Sequence, residues 1–136
     1  MSADPVALQL RLLLERQVSH LGRELAAVLV DLPAGFLLVF RDDADEGRVG
    51  FFATKGGERA ARIWLNAGRA LEQPVEVRDL GRALDEHIKD EIPAGVLYAF
   101  LLWLHDLPIF YTGTIPMGEV RQILRHWLEK GGNARP

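Results

Sequence analysis

Four histidines, a run of acids, a glycine pair and a stripe of arginines are the residues of this 136-residue chain whose types could do chemistry. The histidines are His20, His87, His105 and His126. A helix offers two imidazoles to one metal ion when they stand four residues apart, as in His-x-x-x-His. No pair here has that spacing. His105-Asp106 sets a carboxylate beside an imidazole, but adjacent helix residues do not face each other. The expectation is four boundary or surface histidines, with no bound metal, no cofactor and no catalytic residue.

The acids gather in Asp42-Asp43-Ala44-Asp45-Glu46, just ahead of Gly47. A calcium loop needs oxygens at alternating positions and a distant bidentate glutamate. Asp43 and Asp45 alternate, yet no glutamate follows in register. A solvated turn is the simpler reading.

Gly56-Gly57 ahead of a helix could turn backbone amides toward an anion. The pair lacks the Gly-Lys-Ser/Thr ending of a phosphate loop and the Gly-x-Gly-x-x-Gly of a dinucleotide fold. On the helix that follows, Arg59, Arg62, Asn66 and Arg69 fall within about 80° of one another, with Lys55 just upstream. Guanidinium forks match carboxylates and phosphates. Residues 48–82 carry +3 while the whole chain carries −3. This gives one functional reading: an anion- or nucleic-acid-binding face formed by Lys55, Arg59, Arg62 and Arg69. The competing reading is a solvated face paired with Glu58, Glu72 and Glu76.

Nucleophilic chemistry has little to work with. There is no cysteine, which removes thiol catalysis, disulfides and cysteine-ligated metals together. The serines are Ser2 and Ser19, neither in a nucleophile elbow. Thr54, Thr112 and Thr114 have no base marked to activate them. The aromatic residues sit in apolar runs or on apolar helix faces, where core packing accounts for them.

The elements that would position these groups follow from chain punctuation and periodicity. Asp4-Pro5 opens a helix expected to run from about 5 to 30, ended by Pro33 and Gly35. Leu10, Leu14, Val18, Leu21, Leu25, Val28 and Leu29 share one sector, the expected core stripe. Leu8, Leu12 and Leu13 fall outside it. Such an over-wide apolar surface marks a subunit or partner interface. Residues 36–40 and 49–54, joined by the acidic turn, read as an antiparallel hairpin spanning about 36–54. A second helix is expected over Glu58–Leu71, with Ala60, Ile63, Trp64, Ala67 and Leu71 inward; a strand over Arg62–Asn66 is the alternative. Asp79 could cap a third, and Pro116 begins an amphipathic helix closed by Gly131-Gly132. The run 96–104 is open to two readings. Its leucines favour a buried helix, while a strand would pair with 109–112.

A repeat bears on that choice. Asp31-Leu-Pro-Ala-Gly-Phe-Leu-Leu-Val-Phe40 matches Glu91-Ile-Pro-Ala-Gly-Val-Leu-Tyr-Ala-Phe100 at five of ten positions, and Arg62-Ile-Trp-Leu65 resembles Arg125-His-Trp-Leu128. Two helix–hairpin–helix halves would produce this pattern; so would chance recurrence of a helix-stopping Pro-Ala-Gly.

At 15.2 kDa, 49 % apolar and 26 % charged, the chain is the size and composition of one globular α+β domain, the hairpin packed against four or five amphipathic helices, expected to span 1–136 with 133–136 frayed. The longest apolar run, Val96–Leu104, is far shorter than the ~20 residues of a membrane span. The first residues carry no lysine or arginine of the kind a signal peptide needs. A cytosolic location without membrane contact is expected, and an arginine excess over lysine of 13 to 3 is the usage of a GC-rich bacterial genome. The function expected from all this is a non-enzymatic accessory protein. It would self-associate as a homo-oligomer or bind a protein partner through Leu8, Leu12 and Leu13.

Overall fold

The computed structural model describes residues 5–42, 48–54, 56–67, 75–104 and 109–131, with the side chains of 5–11 and 67 left aside. The acidic turn 43–47, Lys55, Arg69, His105 and the tail 132–136 lie outside the described residues. Within them the order is α1 (Pro5–Val28), β1 (Ala34–Asp42), β2 (Arg48–Ala53), α2 (Gly57–Ala67), α3 (Val75–Glu91), β3 (Val96–Leu104), β4 (Phe110–Gly113) and α4 (Met117–Glu129). The protein is α+β. The four strands form one antiparallel sheet in the order β2-β1-β3-β4.

The expected hairpin is present as β1 and β2, with Leu38 opposite Phe52 and Phe40 opposite Gly50. It does not stand alone, because β3 pairs with the other side of β1 along all nine residues. The preference for a helix over 96–104 is therefore corrected. β3 is buried on both faces, so its apolar residues run on without the alternation that reveals a half-buried strand. Pairing with β1 and β4 overrides the helical propensity of its leucines.

Both faces of the sheet are covered. On one, Phe36, Leu38, Phe40, Phe100 and Leu102 pack under α1 and α3, which contribute Leu14, Val18, Leu21, Leu25, Leu84 and Ile88. On the other, Leu37, Val39, Ala99 and Leu101 pack under α2 and α4, which contribute Ala61, Val120, Leu124 and Trp127. Alternate β1 residues thus feed two separate cores. Burying each large apolar side chain fully stabilises the fold by about 1.5–3 kcal/mol.

Two helix glycines set how closely the first pair approaches the sheet. A Cβ on Gly22 would stand 2.3 Å from the Phe52 ring, and one on Gly81 2.5 Å from Phe110. The ring edge occupies the space a side chain would need. On the opposite face, α2 buries Ala60 and Ala61 fully, with Trp64 and Leu65 partly buried beside them.

Several element boundaries and inward faces differ from expectation. Val28 is 63 % exposed rather than part of the core stripe, because α1 ends there and the chain turns to bury Leu29 instead. Ile63 is exposed and Trp64 half-buried, since the inward sector of α2 centres on Ala60 and Ala61. α3 begins at Val75, so Asp79 is an exposed residue inside the helix and not its cap. The turn into β3 needs Gly95, which has φ +80°, a conformation open to glycine at little cost.

Candidate functional site

The outer face of α1 is the first candidate. Leu14 is buried beneath the helix while Leu12 and Leu13 are 41 % and 46 % exposed. The side chain of Leu8 is outside the description. Toward the C-terminus the outer face becomes polar, with Arg16, His20 and Arg23 exposed. Of the described side chains on this face, Leu12 and Leu13 supply the apolar surface near its start.

The arginine stripe is only partly gathered. Arg59 and Arg62 are exposed on α2, and Arg62 donates to Glu58 at 2.9 Å. That i,i+4 pair is the solvated arrangement weighed against an anion site.

Other arginines are engaged in the fold. Arg41, at the end of β1, donates to Glu119 of α4 at 2.5 Å, and Arg48 donates to Asp42 at 3.1 Å. His87 of α3 and His20 of α1 both approach Glu24 Oε1, at 3.6 and 3.8 Å. Among the described residues no group of three or more histidines and carboxylates is placed to hold a metal ion.

A groove between α3 and β4 is the second candidate. It encloses about 400 Å³ between Arg82, Asp85 and Lys89 on the helix and Phe110, Tyr111 and Thr112 on the edge strand. Asp85 is only 7 % exposed and Tyr98 2 %. The Tyr98 hydroxyl donates to Asp85 Oδ1 at 2.5 Å, and Lys89 Nζ lies 3.1 Å from Oδ2. A buried carboxylate without partners would be costly; here each oxygen has one. Burial, then the hydrogen bond to Asp85 and its charge, hold the Tyr98 phenol far above its usual value, while a hydrogen bond from Thr112 opposes them. Burial also raises Tyr111.

This pair was not singled out from the sequence, although half of it was visible there. Asp85 lies in the sector about 100° wide that holds Val77, Leu84 and Ile88. A carboxylate in an apolar sector is a signal. Its partner comes from β3, and nothing in chain spacing connects positions 85 and 98.

No known protein family, curated protein or solved structure matches the chain. Among the described residues, no helix is long and apolar enough to cross a membrane.

Proposed function

We propose that this chain is a non-enzymatic cytosolic interaction protein that pairs with a second copy of itself through the opening turns of α1. The observation that carries the reading is the exposure of Leu12 and Leu13 beside a fully used core face. Charge complementarity favours a second copy. Exposed Glu15 and Arg16 follow the leucines, so two α1 helices crossing antiparallel set the acid of one against the base of the other. A twofold contact requires such a self-complementary patch. Leu12 and Leu13 alone fall short of the ~1,200 Å² or more that a stable interface buries, and Leu8 of the same reading lies outside the described side chains.

The pairing is tested by light scattering across a concentration series. Leu12→Glu with Leu13→Glu should convert a dimer to a folded monomer. A wild-type chain that stays monomeric at high concentration overturns the reading.

The alternative function, an anion- or nucleic-acid-binding face, rests on exposed Arg59 and Arg62. Phosphate contacts release counterions, so such binding should weaken steeply with salt and vanish in Arg59→Glu with Arg62→Glu.

Within one chain we read two helix–hairpin–helix units related by a local twofold. Thr54 Oγ1 accepts from the Phe36 N–H at 2.8 Å, and Thr114 Oγ1 accepts from the Tyr98 N–H at 3.1 Å. Matching Phe36 to Tyr98 makes Leu38 equivalent to Phe100, and these two residues are direct partners across β1 and β3. The twofold would pass through that pair. The support is this correspondence, together with the two tryptophan–strand stacks of Trp64 and Trp127.

A further inference from the structure

The two helices over the first core make corresponding contacts with unlike residues. Gly22 of α1 receives Phe52, and four residues later stands Ala26, packed on the apolar core. Gly81 of α3 receives Phe110, and four residues later stands Asp85. The strand residues anchored by the threonine hydroxyls differ in the same way, Phe36 in β1 and Tyr98 in β3. The first half docks its helix with alanine and phenylalanine. The carboxylate–phenol pair is thus particular to the second half, and Asp85 of that pair lines a groove of about 400 Å³.

The chemistry around the groove is specific. Asp85 is held in orientation by Tyr98, and its second oxygen already accepts an ammonium group, that of Lys89 at 3.1 Å. Lys89 is an exposed and flexible chain, able to swing away. Arg82, one turn toward the helix N-terminus, supplies a guanidinium at the rim, and Phe110 supplies an apolar wall, while the Tyr111 ring stacks on Trp64 on the other face of the sheet. Carboxylate, guanidinium and apolar wall together match a ligand carrying an ammonium, a carboxylate and an apolar body.

We propose that the α3–β4 groove binds a zwitterionic α-amino acid with an apolar side chain. Its ammonium displaces Lys89 from Asp85, its carboxylate meets Arg82, and its side chain lies against Phe110. Glu86 at the rim balances Lys89, so the lining as a whole is neutral, as a zwitterion requires.

The full chain titrated with L-phenylalanine, followed by amide chemical shifts, tests this. Saturable shifts confined to residues 82–89 and 110–112 are expected. Phenethylamine and 3-phenylpropionate, each lacking one charge, should bind about tenfold or more weakly, because each forfeits one of the two charge-assisted contacts. Asp85→Asn should abolish the preference for the amine. Lys89→Met, which removes the internal competitor, should tighten binding several-fold. No saturable binding of phenylalanine, or equal binding of phenylpropionate, overturns the proposal. So does unaltered affinity in Asp85→Asn. If Asp85→Asn does not fold, the variants Arg82→Met and Lys89→Met decide it: weaker and tighter binding support the site, and no change in either defeats it.

Discussion

The indole of Trp127, on α4, stacks on the ring of Phe51 in edge strand β2, with centroids 5.6 Å apart and planes 14° from parallel. At the other edge, Trp64 of α2 stacks on Tyr111 of β4 at 4.8 Å and 29°. Each helix thus reaches across to the edge strand of the opposite hairpin, so α2 and α4 clamp the second core from both ends. Arg121 of α4 lies over the Trp64 ring at 5.2 Å and joins the two clamps.

The clamps should be unequal. Trp127 is buried and Trp64 half-buried. Trp127→Ala is expected to cost about 3–5 kcal/mol, the range for large core truncations. Trp64→Ala should cost distinctly less, because part of that ring is already in water. Urea denaturation followed by far-UV circular dichroism measures both. Equal losses would show that the stacks, rather than burial, set the energetics.

The glycines of the helices make a sharper contrast. Gly22→Ala and Gly81→Ala each drive a methyl into a phenylalanine ring, and overpacking of this kind costs about 1–3 kcal/mol. At Gly118, near the start of α4, an added methyl would meet nothing within 4 Å. Gly118→Ala should therefore be neutral or stabilise by up to about 1 kcal/mol, since alanine restricts the unfolded chain more than glycine does. Melting temperatures should fall below the wild type for the first two variants and at or above it for the third. A drop of equal size in all three would remove ring contact as the reason for glycine at 22 and 81.

Thr54 and Thr114 should behave alike. Each hydroxyl accepts an N–H at the start of a central strand, and losing it leaves a buried donor without a partner at about 1–3 kcal/mol. Thr54→Val and Thr114→Val keep the shape and remove the acceptor. Serine at either position should restore most of the loss. A valine variant as stable as wild type would remove the hydroxyl from the account of strand positioning.

Much of the fold could be read from the chain, and the misreadings share a cause. α1 and α4 show their 3.6-residue period because one side of each faces water: in α1, Leu14, Val18, Leu21 and Leu25 point inward, Arg16 and Arg23 outward. β3 shows no period because helices cover both faces, so Leu101 and Leu102 are equally buried though they point in opposite directions. The sequence match of Pro33-Ala34-Gly35 with Pro93-Ala94-Gly95 is also two residues out of step with the strands. Ala34 already belongs to β1, whereas Pro93 to Gly95 turn the chain ahead of Val96. The groove was harder to see, because its parts come from α3, β3 and β4 and meet only after the sheet has formed.

The buried phenol gives the protein a defined alkaline limit. Tyr98 has its pKa raised well above the usual value of 10.0 in the folded chain, so folding favours the neutral hydroxyl that donates to Asp85. Below pH 10 both folded and unfolded chains hold that proton, and the contribution to stability is fully present. Above pH 10 the unfolded chain releases the proton while the folded chain keeps it, so stability falls as pH rises, by about 1.4 kcal/mol per unit for one proton. Tyr111, raised in the same direction, adds to the slope. Tyr98→Phe should be less stable than wild type at neutral pH, having lost a donor to a buried carboxylate. It should also lose stability more gently above pH 10. Subtracting its denaturation free energies from those of the wild type, pH by pH, isolates Tyr98 from the lysines that titrate in the same range. A difference that stays constant from pH 8 to 11 would mean that Tyr98 ionises as readily in the folded chain as in the unfolded one, and that the Asp85–Tyr98 hydrogen bond does not hold the phenol neutral.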